Sequence, residues 1–79
     1  MITPRQCRAA RALLGWTQAG LAEEANIGID IVRRFERSES DTRSSGLIAI
    51  EKALRRGGVK LLNAEGNEGE GVRIASAKA

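Results

Sequence analysis

Apolar residues in the first 57 positions recur at helical spacing, and beyond them the period shortens toward two. Thr3-Pro4-Arg5-Gln6 opens the first predicted helix. Thr3 is suited to cap it, Pro4 to its first position, and Gln6 to the place where a capping box takes Glu or Gln. At ~100° per residue, Gln6, Cys7, Ala10, Leu13 and Leu14 fall on the inner side of this helix. Arg5, Arg8, Ala9 and Ala12 fall outside, with Arg11 on the boundary, and Gly15 stops the helix. Cys7 reads as a small core residue. Thr17 caps a second, short helix through about Ala25, with Leu21, Ala22 and Ala25 inward and Gly20 as an interior defect of ~1 kcal/mol. Asn26 tolerates a left-handed conformation, which predicts a sharp turn anchored by Ile27.

A third helix runs from about Gly28 to Arg37. Winding it places Gly28, Ile31, Val32 and Phe35 on the inner side, and Ile29, Asp30, Arg33, Arg34 and Arg37 on the outer one, with Glu36 on the border. A loop over 38–42 leads to a fourth helix of roughly residues 44–56, whose core face is Leu47, Ile50, Ala53 and Leu54; Gly57-Gly58 ends it. Val59-Lys60-Leu61-Leu62 and Val72-Arg73-Ile74 read as two short strands around a loop rich in Gly, Glu and Asn. An isolated hairpin is marginal, so this one needs a partner surface, either its own helices or a second copy of the chain. Residues 76–79 have nothing to bury and are expected to fray.

The 79 residues make a single domain, and a chain of that size buries only ~60% of the surface its unfolded form exposes. With 42% hydrophobic and 29% charged residues, the composition is that of a folded globule. There is no His and one Cys, which excludes a zinc-finger site, a disulfide framework and a Ser-His or Cys-His pair within one chain. No catalytic residue, metal or cofactor is therefore expected, and the chain does not read as an enzyme. No apolar run approaches ~18 residues and no charged-then-apolar leader opens the chain, so no membrane span or signal peptide is expected and the location is cytoplasmic. The first 56 residues carry ten basic and seven acidic side chains, the last 23 three of each. Nine of those ten basic residues are Arg, whose planar fork of donors suits phosphates and guanine edges.

The outer side of the third helix concentrates this charge. A solvated face accounts for charged residues readily, and Asp30 with Arg34 is also the spacing of a simple ion pair. Ile29 is harder to place there: an apolar residue on a polar face near the start of the helix. Three arginines and one Ile on a single side suit a DNA major groove, where Arg meets guanine or phosphate and an apolar group meets the thymine methyl.

Arg11-Ala12-Leu13-Leu14-Gly15-Trp16-Thr17-Gln18-Ala19-Gly20-Leu21-Ala22, followed by Ala25-Asn26-Ile27 and Val32-Arg33-Arg34-Phe35-Glu36, resembles the helix-turn-helix of the Cro and phage-repressor (Xre) family. The resemblance covers roughly residues 5–56. It implies a mainly α fold, a four-helix, lambda-repressor-like helix-turn-helix domain over 1–57; the change of period beyond it adds a short C-terminal β-strand pair over 58–75, the expected dimerisation element, and 76–79 is expected to be a flexible tail. The resemblance further implies that the third helix lies in the major groove of double-stranded DNA. Ile29, Asp30, Arg33 and Arg34 would then face base edges, while Gln18, Arg37, Arg43 and Ser44 would lie at the phosphates. Arg11 and Glu36 match a family pair that forms an internal salt bridge. Gly28 replaces the usual Ser or Thr cap of the recognition helix, and Ile29 and Asp30 stand where polar residues are common, so base preferences do not carry over from relatives. Asp30 either accepts from a cytosine amino group or restrains Arg33 or Arg34.

One recognition helix reads few base pairs, so a homodimer on a pseudo-palindromic operator is expected. Its interface would use Ile48 and the strand residues Val59, Leu61, Val72 and Ile74; the alternative is a hairpin folded on its own helices. The leading function is a sequence-specific transcriptional regulator, a repressor acting near its own gene. The rival class is a protein-interaction module such as an antitoxin that also binds DNA. Single-stranded nucleic acid fits poorly, since only Trp16 and Phe35 offer rings for stacking and both lie on core faces.

Overall fold

The computed structural model describes residues 1–39 and 43–75. Ser40, Asp41 and Thr42 of the expected loop, and the expected tail over 76–79, lie outside the described residues. Four helices come first, α1 (Pro4–Leu14), α2 (Gln18–Ala25), α3 (Ile29–Glu36) and α4 (Ser44–Gly57), and a two-stranded antiparallel sheet follows, β1 (Val59–Leu62) and β2 (Gly71–Ile74). The expected mainly α architecture with a terminal strand pair is what forms.

Local chemistry sets the helix ends. Gln6 N donates to Thr3 Oγ1 at 3.1 Å and Thr3 N donates to Gln6 Oε1 at 3.0 Å, which closes the capping box of α1. Gly15 ends α1 in the left-handed region at φ 69°. Gly20 N donates to Thr17 Oγ1 at 2.9 Å at the start of α2. Asn26 ends α2 at φ 57°, as its tolerance of that region predicts.

The core joins Ile2, Cys7 and Ala10 to Leu21, Ala22 and Ala25 of α2, Val32 and Phe35 of α3, Ile50, Ala53 and Leu54 of α4, and Val59. Small side chains at Ala22 and Ala25 let α2 and α3 approach closely. At the end of α4, a Cβ on Gly57 would lie 2.8 Å from the Trp16 ring and 2.9 Å from Leu14 Cδ1, so a larger residue there requires those side chains to shift.

Two helical phases differ from expectation. Leu13 is 46% exposed rather than inward, while Leu14 packs partly against the core. In α3 the isoleucines exchange roles: Ile29 packs against the core, and Ile31 is half-buried outside that cluster. The apolar stripe of α3 is Ile29, Val32 and Phe35 continued by buried Glu36, an i, i+3, i+6, i+7 row rather than one centred on Ile31.

The strands pair with each other within one chain, with Val59 opposite Ile74 and Leu61 opposite Val72. The hairpin then folds on its own helices. Gln6 Nε2 donates to Leu62 O at 2.8 Å and to Gly71 O at 3.0 Å, so the residue that closes the α1 cap also ties the far end of the hairpin to α1. Val59 is 2% exposed, which removes it from the expected dimer surface: its side chain is spent on its own core. Leu61 and Val72 are partly packed there too, whereas Ile48 at 46% and Ile74 at 42% remain exposed.

Candidate nucleic-acid interface

The orientation of α3 depends on one buried carboxylate at its last residue. Arg11 Nε donates to Glu36 Oε2 and Arg11 Nη2 to Glu36 Oε1, both at 2.7 Å, a two-pronged ion pair with the Glu36 side chain only 3% exposed. Gln18 Nε2 adds a bond to Oε1 at 3.0 Å and Cys7 Sγ one to Oε2 at 3.1 Å. Arg8 donates to the Glu36 carbonyl, and Arg11 Nη1 to Trp16 O at 3.1 Å. A single side chain thus ties α3 to α1 and to the start of α2.

These contacts shape the protonation of the cluster. Burial pushes the Glu36 carboxyl up, but hydrogen bonds from Arg11, Cys7 and Gln18 together with the Arg11 charge outweigh it, leaving the group below its ordinary range. The bond to Glu36 raises Arg11 despite its own burial. Burial first, then the Glu36 carboxylate, push the Cys7 thiol far up, so it stays a neutral donor.

The side of α3 turned from this anchor carries Asp30, Arg33, Arg34 and Arg37, all exposed. Asp30 Oδ2 accepts from Arg34 Nη2 at 3.3 Å, and Arg37 Nη2 pairs with Glu39 Oε2 at 2.9 Å. Arg43 and Ser44, at the start of α4, are exposed as well, and Arg43 stands at the cap position without a side-chain capping bond. The charged residues proposed for bases therefore share one surface, and Ile29 stands apart from them against the core. Gln18, expected at the DNA backbone, has its amide on Glu36 in the free protein.

The sequence pattern alone does not place Cys7 and Arg8 around Glu36. The signal available was weak: Cys7 and Arg11 are spaced i, i+4 on one face, opposite the end of α3.

Two short helices joined through a left-handed Asn26, the second held by a buried ion pair and showing a basic outer face, define a helix-turn-helix DNA-binding domain. The chain belongs to the helix-turn-helix family, of the Cro and phage-repressor type, which residues 8–61 match. It is a DNA-binding helix-turn-helix regulator, from a family that is generally non-enzymatic. No curated protein matches the sequence. Among the described residues, no helix is long and apolar enough to cross a membrane, and no group of acidic, His or Cys side chains is arranged to hold a metal.

Proposed function

We propose that this protein is a transcriptional repressor that binds a pseudo-palindromic operator near its own gene as a homodimer. The observation that carries the reading is the exposure of Arg33, Arg34 and Arg37 on one side of α3, whose opposite side is anchored through Glu36. In the major groove, Arg33 and Arg34 meet base edges, where Arg reads guanine by two parallel bonds, and Asp30 lies in their immediate neighbourhood. Ile31, being outside the core cluster, takes the thymine-methyl contact in place of Ile29. Arg37, Arg43 and Ser44 meet flanking phosphates, and Gln18 joins them through the backbone N–H groups that open α2.

The homodimer reading is supported by what the fold leaves uncovered: Ile48 at 46%, Ile74 at 42% and Leu13 at 46% exposure. The hairpin over 58–75, seated on α1, offers the outer edge of β2 to a second copy. Two recognition helices about 34 Å apart would then read successive turns of the duplex.

Footprinting across the DNA adjoining the gene tests the function directly. A discrete protected site is expected, with affinity falling steeply as salt rises. Arg33→Ala should weaken that site by ~1–3 kcal/mol and relax one base position. Arg43→Ala should weaken all duplexes alike and lower the salt slope by about one. An intact fold that protects no site, with Arg33→Ala indistinguishable from the parent, overturns the reading. Sedimentation at micromolar concentration checks the dimer: a species near twice 8.5 kDa is expected, reduced to the monomer by Ile74→Asp.

A further inference from the structure

The start of α3, like that of α4 and unlike those of α1 and α2, carries no side-chain capping bond. Gly28 occupies its cap position in extended backbone, at φ −69° and ψ 145°, with no side-chain capping bond. The space beside it is taken by Asp30: a Cβ on residue 28 would meet Asp30 Oδ1 at 2.8 Å. The other oxygen of that carboxylate, Oδ2, accepts from Arg34 Nη2 at 3.3 Å, one helical turn further on. The Asp30 carboxylate is thus lodged between the bare Gly28 and the guanidinium of Arg34.

In water a pair this exposed contributes little, with side chains 62% and 49% accessible. A DNA groove changes the balance. Phosphates flank it, and a carboxylate enters only where a donor neutralises it, which here is Arg34 or a cytosine amino group. The observed geometry favours Arg34. An Arg held on one edge by a carboxylate keeps its remaining donors free for guanine O6 and N7 and loses less freedom on binding.

We propose that Gly28, Asp30 and Arg34 form one specificity unit: Arg34 reads a guanine, Asp30 is the positioning residue that aims it, and Gly28 leaves room for the carboxylate. The unit rests on the placement of α3 in the major groove proposed above. Gly28→Ala separates position from charge, because it preserves every titratable group yet forces Asp30 Oδ1 to move, and the atom displaced is the end of a flexible side chain.

The test is selection from a pool of randomised duplexes, with thermal unfolding confirming that each variant folds. The parent should enrich a half-site with one guanine preferred about tenfold or more over other bases. Arg34→Ala should abolish that preference. Asp30→Ala and Gly28→Ala should each lower it at least about threefold, at that position only, as expected when one bidentate contact loses its support. Neither should alter the position further in the Arg34→Ala background. The unit is overturned if Asp30→Ala leaves the guanine preference at its parental value. It is equally overturned if Asp30→Ala shifts a cytosine preference in the Arg34→Ala background, since Asp30 then reads a base itself. A folded parent that enriches no sequence defeats the groove placement instead, a result distinct from either of these. Should Gly28→Ala not fold, the two Asp30→Ala measurements decide alone.

Discussion

The two ends of α3 are held by opposite means. At its C-terminal end, Glu36 is buried and receives Arg11, Gln18 and Cys7. At its N-terminal end, Gly28 offers no side-chain cap and Asp30 lies in solvent, paired with Arg34 from the last turn. A reading helix needs both properties. One end must fix the angle at which the helix leaves the protein, and the other must stay unspent so that its polar groups can be satisfied by a ligand. A buried ion pair serves the first need because its energy depends on geometry; an exposed pair serves the second because it is inexpensive to rearrange.

The largest effect is expected from breaking the anchored end. Glu36→Ala leaves Arg11 partly buried without its counter-charge and should cost about 3–5 kcal/mol, read as a lower urea midpoint. Replacing both partners, Arg11→Met with Glu36→Leu, should recover part of that loss, because the uncompensated charge is gone. A Glu36→Ala variant as stable as the parent would show that the anchor contributes nothing.

Acid should act on the same end more gradually. The folded carboxyl lies below the ordinary value near 4.5, so between the two values the unfolded chain binds the extra proton. The contribution of Glu36 is therefore complete above about 4.5 and is lost as pH falls through the lower folded value. Unfolding midpoints measured across this range should fall with pH, and more steeply in the parent than in Glu36→Gln. Glu70, lowered by a backbone N–H and by the exposed Arg5, contributes in the same direction from a half-buried side chain, so Glu70→Gln should flatten the curve less.

How far each end could be read from sequence follows from how local its chemistry is. Caps are decided within three or four residues, and Thr3 with Gln6, Thr17 and Asn26 all stand where their side chains predict. The rotation of α3 is not local. Its apolar residues leave Ile29 and Ile31 on either side of the Val32–Phe35 row, and what settles the phase is Glu36, drawn inward by Arg11 from another helix. A wheel that treats Glu as polar turns α3 the wrong way and exchanges the two isoleucines. Leu13 escaped for a similar reason: it lies at the edge of the α1 stripe, and the core is filled by Cys7 and Ala10 instead. Gln6 and Gln18 show the remaining limit. The sequence reveals an amide in each place, but the carbonyls of Leu62 and Gly71 and the carboxylate of Glu36 reach them only through the fold. The Arg33, Arg34 and Arg37 surface needed no such information, because charge at helical spacing is written along the chain.

A smaller change at the anchored end sharpens the comparison. Cys7→Ala removes one of the donors to Glu36 and a buried sulfur, and should cost ~1.5–3 kcal/mol, about the net worth of a hydrogen bond to a charged group. Because Arg11 keeps its two bonds, α3 should retain its angle, and the order of preferred DNA sequences should not change. Altered base preference in Cys7→Ala would mean that the thiol, rather than the ion pair, sets the angle of the helix.

The smallest stability effect belongs to the open end, where Gly28→Ser supplies the missing cap. A serine hydroxyl there can accept from the N–H groups that open α3, and the gain over Gly is only a few tenths of a kcal/mol. Its Cβ, however, claims the space now held by Asp30 Oδ1. The variant should therefore unfold at a slightly higher temperature than the parent and discriminate less well at the base facing Arg34. Cys7→Ala should do the reverse, losing stability and keeping discrimination. If Gly28→Ser instead raised both stability and discrimination, an empty cap would be a defect of this helix rather than the room its reading groups require.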